Sequence, residues 1–151
     1  MNRVNNTTIT DTAIATSCLC TKLRATSRKV SRAYDNALRP IGLNANQFSI
    51  LVAISLLGPV SITDLSEKLA MERTTLTRNL RPLEKEGIVH LQDGYGRTRE
   101  LTLTVKGKKL LNDARPLWNS VQSKLVEQLG NTDTEMISQL LKQILNLEIS
   151  T

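Results

Sequence analysis

Two short segments of the 151-residue chain contain residues whose types and spacing could support chemistry. The first is Cys18-Leu19-Cys20, which holds both cysteines of the chain. The second runs from Arg73 to Arg81 and contains three arginines and three threonines but no acidic residue. Thiolates bind soft ions and react with oxidants, whereas arginine and threonine contact phosphates and the edges of bases. The sequence therefore has one candidate thiol site and one candidate nucleic-acid-binding site.

Cys18 and Cys20 are candidate ligands for a soft effector such as trivalent arsenic, trivalent antimony or copper(I), and candidate sensors of oxidants. The neighbouring Lys22 and Arg24 favour the thiolate form. Residues i and i+2 of a regular helix point about 200° apart, so the two thiols can share an ion only if the first turn is extended or a second copy of the chain contributes a thiol. In the alternative interpretation, the cysteines are small buried hydrophobic residues at an interface.

The segment that contains the Arg73–Arg81 run predicts a helix-turn-helix. Ser61 caps a short helix, Ala70-Met71 forms a tight turn, and a longer helix over about residues 72–86 ends at Gly87. We expect Pro82 to kink this longer helix. Its core positions recur at helical spacing and are Leu76, Leu80 and Leu83. The outward candidates for contact with a DNA groove are Arg73, Thr74, Thr75, Thr77, Arg78 and Arg81.

A basic hairpin is predicted directly after this helix. Its first strand contains Ile88, Val89 and Leu91, and its second contains Leu101, Leu103 and Val105. The loop between them would present Arg97 and Arg99 to a minor groove or a phosphate backbone. Three helices followed by a basic two-stranded wing predict a winged helix-turn-helix lobe over residues 43–105 that binds double-stranded DNA.

The segments on either side of this lobe are predicted to be helical and to form a dimer. Residues 1–13 have no usable periodicity and are expected to form a mobile tail, and residues 14–42 form an N-terminal helix. Residues 106–151 form C-terminal helices, with a kink or break at Pro116. The apolar stripes of 17–39 and 108–147 exceed what one small lobe can cover, so we expect a homodimer. The fold class is therefore mainly α, with a winged lobe and long terminal dimerisation helices.

Local signals also define the second helix of the chain. Asn44 and Gln47 have the spacing of a capping box, and the helix that follows is apolar nearly all round, so we expect it to be buried. The N-terminal helix before it ends at Pro40 and Gly42. Its apolar face contains Leu19, Leu23, Val30, Tyr34 and Leu38, and its other face is basic.

Composition weighs against several other classes of protein. The net charge of +6 fits nucleic acid, membrane or acidic partners, but the longest apolar run is far shorter than a membrane span, which favours a cytoplasmic protein. Aromatic residues make up 3 % of the chain, which disfavours recognition of single strands by stacking. His90 is the only histidine and no carboxylate pair accompanies it, so we expect no enzyme and no zinc finger. A nonspecific architectural DNA-binding protein and a protein-interaction adaptor remain as alternatives.

The chain resembles the MarR family over residues 18–147. The segments that carry the resemblance are Ser61 to Val89, which includes Leu83-Glu-Lys-Glu-Gly87, and Leu101-Thr-Leu-Thr-Val-Lys-Gly107. The resemblance implies an obligate homodimer that binds a pseudopalindromic operator and acts as a repressor released by a small molecule or by thiol chemistry. We expect no required cofactor. An aromatic or phenolic ligand held between the dimer arms and the lobe is the alternative to thiol sensing. The wing departs from the family pattern at Gly94-Tyr95-Gly96, and Arg97 is the first candidate for its DNA contact.

Overall fold

The computed structural model describes residues 9–94 and 99–148. This part of the chain is mainly α-helical with one small antiparallel sheet, as the sequence predicts. Its elements, in chain order, are α1 (Asp11–Ser17), α2 (Leu19–Leu38), α3 (Ala45–Leu57), β1 (Val60–Ser61), α4 (Ile62–Lys68), α5 (Arg73–Lys85), β2 (Val89–Asp93), β3 (Arg99–Leu103), α6 (Val105–Leu129) and α7 (Asn131–Leu145).

The N-terminal segment differs from its prediction in two ways. Helix α1 begins at Asp11, so residues 11–13 are helical and not part of a tail. The Thr10 side chain accepts a hydrogen bond from the Ala13 N–H, which satisfies one free donor of this short helix. At Cys18 the backbone is extended, with φ −63° and ψ 107°, and a new helix begins at Leu19. The long N-terminal helix is therefore interrupted at the first cysteine.

The junction between α2 and α3 forms as the sequence predicts. A 3₁₀ turn over Arg39–Ile41 follows α2, and Gly42 adopts a left-handed φ of 77°. Asn44 and Gln47 form both hydrogen bonds of the capping box at the start of α3. The Asp35 carboxylate of α2 also accepts a 2.7 Å hydrogen bond from the Ala45 N–H, so α2 holds the first turn of α3.

The hydrophobic core lies between α3, the helix-turn-helix and the sheet, and it extends to α2 and α6. Its fully buried side chains include Leu38, Ile50, Leu51, Ile54, Leu65, Leu76 and Leu101. The prediction that α3 is buried is wrong at its C-terminal end. Leu56 is 80 % exposed, and Leu57 is exposed beside it. These two leucines lie on the rim of a cavity described below.

The sheet has three strands in the order β1-β3-β2, and all pairs are antiparallel. The hairpin of β2 and β3 is predicted from the sequence, but β1 is not, because two residues are too short to show a period. Val105 was expected in the second strand, and this expectation is wrong, since Val105 is the first residue of α6. The Thr104 hydroxyl accepts a hydrogen bond from the Gly107 N–H and so caps α6 at this point.

Neither helical proline ends its helix. Pro82 lies within α5, which continues to Lys85, and Pro116 lies within α6, which continues to Leu129. Of the two alternatives at Pro116, a break is therefore wrong, and a kink stays a prediction. Helix α6 packs against α2, where the Tyr34 hydroxyl donates a 2.6 Å hydrogen bond to the Gln122 side chain.

Helix α7 has an apolar face that nothing in the described chain covers. The helix contains no buried residue, and its exposed large hydrophobic residues are Met136, Ile137, Leu140, Leu141, Ile144 and Leu145.

Across residues 9–94 and 99–148, no single helix combines the length and apolarity of a membrane span. In this part of the chain, one pair of helices meets the length and apolarity criterion when its members are taken together. The pair consists of α2, extended through its 3₁₀ turn, and α3, and the two helices are bent by 77° relative to each other.

Candidate nucleic-acid interface

The turn between α4 and α5 is built from local hydrogen bonds. Ser61 accepts from the Asp64 N–H and donates to the Asp64 carboxylate, which fixes the start of α4. At the other end, Ala70 adopts a left-handed φ of 48° and the Met71 N–H bonds to the Ser66 carbonyl. These bonds close a tight helix-turn-helix and set the direction in which α5 leaves the turn.

Helix α5 presents a basic face opposite its buried face. Leu76, Leu80 and Leu83 are buried in the core and fix the rotation of the helix. Five predicted DNA-contact residues lie together on the outside and line one shallow groove of about 370 Å³. We call this set the reading face, and its members are Arg73, Thr74, Thr77, Arg78 and Arg81.

The arginines of the reading face carry charge that the fold does not neutralise. Within the described ranges, no carboxylate lies within ion-pair distance of Arg73, Arg78 or Arg81. The Thr77 hydroxyl donates a 2.8 Å bond to the Arg73 carbonyl, so its oxygen remains available as an acceptor. A concave, positively charged helix face with acceptor and donor groups can contact both phosphates and base edges.

Thr75 is not brought into this groove. It is half-buried on the flank of α5, and its carbonyl accepts a bond from the Asn79 side chain.

The wing follows α5 as predicted, and Arg99 lies at the tip end of its strands, next to the loop. Arg99 is exposed at the first position of β3, where it pairs in register with Asp93. Arg97 lies outside the described residues, as do the other residues from 95 to 98. His90 is exposed on β2 opposite Thr102 and has no partner suited to catalysis in the described hairpin.

Sequence reasoning did not identify the residues that join α5 to α6. The Thr104 hydroxyl donates a 2.7 Å bond to the Gly87 carbonyl, and the Lys106 ammonium donates a 2.7 Å bond to the Glu86 carbonyl. A Cβ on Gly107 would lie 2.1 Å from the Ile88 carbonyl oxygen, so only glycine fits there. The motif Thr-Val-Lys-Gly is therefore the connection that holds the end of α5 against the start of α6, and its spacing was the available signal.

The two cysteines lie at the interruption between α1 and α2. Cys18 occupies the extended cap position and is half-buried, whereas Cys20 is exposed in the first turn of α2. The hydroxyl and N–H of Thr21 lie near the Cys18 sulfur and lower the pKa of its thiol, although the side chain makes no cap hydrogen bond of standard geometry. No cluster of three or more potential metal ligands occurs among the residues described.

A large apolar cavity, which sequence reasoning could not locate, lies between α3, α4 and α6. Its volume is about 1030 Å³. Trp118 stands between Tyr34 and Phe48, with ring centroids 6.4 and 6.3 Å away, and Phe48 and Trp118 line the cavity. Polar groups enter the lining at Lys68 and Arg115. Since α4 is the first helix of the helix-turn-helix, a molecule in this cavity would contact both the DNA-binding lobe and α6.

A helix-turn-helix with an exposed basic second helix, followed by an antiparallel wing, defines a winged helix-turn-helix DNA-binding protein. Residues 43–93 match the sequence profile of the MarR family. An uncharacterized HTH-type transcriptional regulator of Bacillus cereus is 32 % identical over 101 residues, which cover 66 % of this chain and 67 % of the relative. The chain therefore belongs to the MarR family and is a DNA-binding transcriptional regulator.

Two solved structures extend the comparison to nearly the whole fold. The M. tuberculosis transcriptional regulator MosR in complex with DNA is 36 % identical, with a TM-score of 0.73 over 86 % of this chain and 99 % of that one. The transcriptional repressor CouR bound to p-coumaroyl-CoA is 22 % identical, with a TM-score of 0.81 over 89 % of this chain and 96 % of that one. At this lower identity, the second likeness concerns the fold alone.

Proposed function

We propose that the protein is a homodimeric repressor that binds a pseudopalindromic operator in double-stranded DNA and catalyses no reaction. The reading face of α5 enters the major groove, and Arg97 and Arg99 of the wing contact the adjacent minor groove or backbone. The observation that carries this proposal is the grouping of Arg73, Arg78 and Arg81 in one groove without acidic partners in the described structure. Regulation of transcription would take place in the cytoplasm, where the chromosome lies.

The uncovered apolar surface supports the dimer. Helix α7 exposes Ile137, Leu140, Leu141 and Ile144 on one face, and the start of α2 exposes Leu19. Monomeric proteins rarely leave so many large apolar side chains in contact with water. A second copy related by twofold symmetry would cover these faces and would present two reading faces to the two halves of an inverted repeat.

The operator proposal is tested by selecting duplexes from a random pool with the purified protein. We expect an inverted repeat with half-site centres separated by about one helical turn of DNA. A pool that yields no consensus would instead support the nonspecific architectural alternative. The matched selection with Arg78→Ala should lose preference at one symmetry-related base position, whereas Lys124→Ala, a change on the exposed side of α6, should retain the whole consensus.

For the signal that releases DNA, we propose the thiols of Cys18 and Cys20. The lowered pKa of Cys18, the exposure of Cys20 and the interrupted helix between α1 and α2 support a reactive pair at this junction. Arsenite would lose two hydroxyl groups as two molecules of water, each taking one thiol proton, and would form two As–S bonds. A hydroperoxide would oxidise one thiol to the sulfenic acid and leave as an alcohol, and the second thiol would then displace the sulfenic hydroxyl as water to form a disulfide.

A small aromatic or phenolic effector is the second candidate, and the cavity lined by Phe48 and Trp118 favours it. The two candidates are separated by measuring release of operator DNA by arsenite, antimonite, hydroperoxide and salicylate. The double variant Cys18→Ser/Cys20→Ser should lose the first three responses and keep any response to salicylate. Arg115→Ala, which removes a cation from the cavity wall, should weaken the response to salicylate and keep the responses to arsenite, antimonite and hydroperoxide. Equal thiol-reagent responses in wild type and the cysteine double variant would eliminate thiol sensing.

A further inference from the structure

A second basic surface lies on α2, away from the reading face. From Thr12 to Tyr34 the chain has five basic residues and no acidic residue. All five are exposed, and no ion pair to them is found in the part of the chain that the structure describes. They are Lys22, Arg24, Arg28, Lys29 and Arg32.

Three of these residues form a straight row, which we call the α2 stripe: Arg24, Arg28 and Arg32. Residues four apart on a helix rise about 6 Å along the axis and rotate by only about 40°, so the three guanidinium groups share one face. Arg28 and Val30 lie about 160° apart around the helix, so the stripe faces away from the apolar side. That side is held against α6 and α3, with Leu38 buried and Tyr34 bonded to Gln122.

The chemistry of the α2 stripe favours a phosphate backbone over a lipid surface. Arginine binds phosphate through paired N–H groups, and a regular row of arginines can contact successive phosphates. A helix that lies in a membrane interface also needs a free apolar face beside its basic one. Here the apolar face of the C-terminal half of α2 is occupied by α6, and Ala25 and Ser31, which flank the stripe, add no large apolar side chain to it.

The position of the stripe separates it from the operator half-site. Helix α2 packs on α6 and α3, whereas α5 packs on α4, α3 and β2. The two basic surfaces therefore belong to different parts of the fold, with α3 between them. One duplex half-site in contact with the reading face does not by itself account for the arginines of α2.

We propose that the α2 stripe is a second, sequence-independent binding surface for the phosphate backbone of duplex DNA outside the operator. The DNA would be either a flanking segment of the same duplex or a second duplex held in the same complex. The inference rests on the proposed function, because it assigns this surface to a protein that already engages an operator through α5. It adds a nonspecific component to the binding, whose strength depends on salt and on the length of the DNA.

The test compares wild-type protein with the triple variant Arg24→Gln/Arg28→Gln/Arg32→Gln. The control is Lys109→Gln/Lys124→Gln/Lys142→Gln, which removes the same charge from exposed positions on α6 and α7. Each protein is titrated with a minimal selected operator and with the same operator flanked by nonspecific DNA, over a range of salt concentrations. Sedimentation velocity and thermal melting confirm that each variant remains a folded oligomer equal to wild type.

We expect the stripe variant to bind the minimal operator within about twofold of wild type but to lose a roughly tenfold advantage of the flanked duplex. Its salt slope on the flanked duplex should fall by about 2–3 per protomer, since each lost phosphate contact removes about 0.9. The control variant should retain both the affinity advantage of the flanked duplex and the salt slope of wild type. Capture of a labelled nonspecific duplex by the immobilised operator complex would identify the second-duplex arrangement. If the nonspecific DNA raises affinity only when it is joined to the operator in the same duplex, the flanking segment is identified.

Three results would overturn the proposal. In the first, the stripe variant still binds the flanked duplex more tightly than the minimal operator, by the same factor as wild type. In the second, the stripe variant loses affinity equally for the minimal and the flanked duplexes. The third is loss of binding to phosphatidylserine vesicles with no change on DNA, which would assign the stripe to a membrane. Failure of the operator proposal is distinguished in an Arg73→Ala/Arg78→Ala background. There, binding to nonspecific duplex must still depend on the α2 stripe, whatever those two substitutions do to the operator.

Discussion

The ammonium group of Lys106 lies 2.7 Å from the carbonyl oxygen of Glu86, at the C-terminal end of the helix that carries the reading face. Lys106 belongs to α6, the helix that leads to the uncovered apolar surface of α7. The cation also meets the negative end of the α5 dipole. This contact and the Thr104 bond to Gly87 therefore fasten the C-terminal end of α5 to the start of α6.

Loss of this contact is expected to weaken operator binding without unfolding the protein. Lys106→Met keeps the aliphatic stem and removes the hydrogen bond, which should cost at most about 1 kcal/mol of unfolding free energy. Operator affinity should fall severalfold because α5 is less firmly held. The control Lys109→Met removes a cation that pairs with Asp113 on the same helix in the described structure, and it should leave affinity unchanged. Fluorescence anisotropy with labelled operator measures both, and equal affinities for the two variants would contradict the positioning role.

Gly107 should be intolerant of any side chain. An added Cβ would lie 2.1 Å from the Ile88 carbonyl oxygen, and this backbone atom cannot rotate away. We expect Gly107→Ala to lower the unfolding free energy by roughly 1–3 kcal/mol, as forced overpacking does elsewhere. The neighbouring Lys108→Ala, an exposed position, is the matched control. Chemical denaturation measures the difference, and a wild-type midpoint for Gly107→Ala would show that the close approach is not required.

The thiol of Cys18 should react at lower pH than an ordinary cysteine. The Thr21 hydroxyl and N–H near the Cys18 sulfur favour the thiolate and lower the pKa of Cys18, so a larger thiolate fraction is present at a given pH below the ordinary value. The rate of iodoacetamide alkylation of Cys20→Ser, which leaves Cys18 alone, should therefore begin its rise at lower pH than that of a model peptide. Thr21→Val removes the hydroxyl donor and should move the midpoint of alkylation back toward higher pH. Identical profiles for the two proteins would contradict the assigned cause.

The apolar face of α7 should be required for the dimer. Leu141→Glu places a charge within that face and should convert the dimer to monomer, with a marked loss of operator affinity. Gln139→Glu adds the same charge on the opposite side of α7, where we expect no effect on assembly. Analytical ultracentrifugation distinguishes the two, and a dimeric Leu141→Glu protein would place the interface elsewhere.

The features that the sequence predicts well are those determined by neighbouring residues. The caps at Asn44 and Ser61, the left-handed Gly87 and the leucine spacing of α5 depend on contacts within one or two turns, and each forms as expected. The reading face follows from the same local spacing, apart from Thr75, which the rotation of α5 places on its flank.

The features that the sequence does not predict depend on contacts between distant residues. Strand β1 exists because Val60 pairs with Leu101, and the cavity exists because α3, α4 and α6 meet around Trp118. Pro116 does not break α6, since packing of that helix against α2 and α3 outweighs one missing backbone bond. The helix interruption at Cys18 could likewise not be predicted, because no glycine or proline lies near it in the sequence.

Operator affinity of Arg78→Ala, measured beside Lys124→Ala across a range of salt concentrations, tests the central role of the reading face most directly. Arg78 lines the basic groove of α5, whereas Lys124 is exposed on α6. We predict that Arg78→Ala loses about 1–3 kcal/mol of binding free energy per half-site and that Lys124→Ala binds as wild type does. Affinity of wild type should also fall steeply with salt. Wild-type affinity in Arg78→Ala together with a flat salt dependence would contradict the account of this chain as an operator-reading regulator.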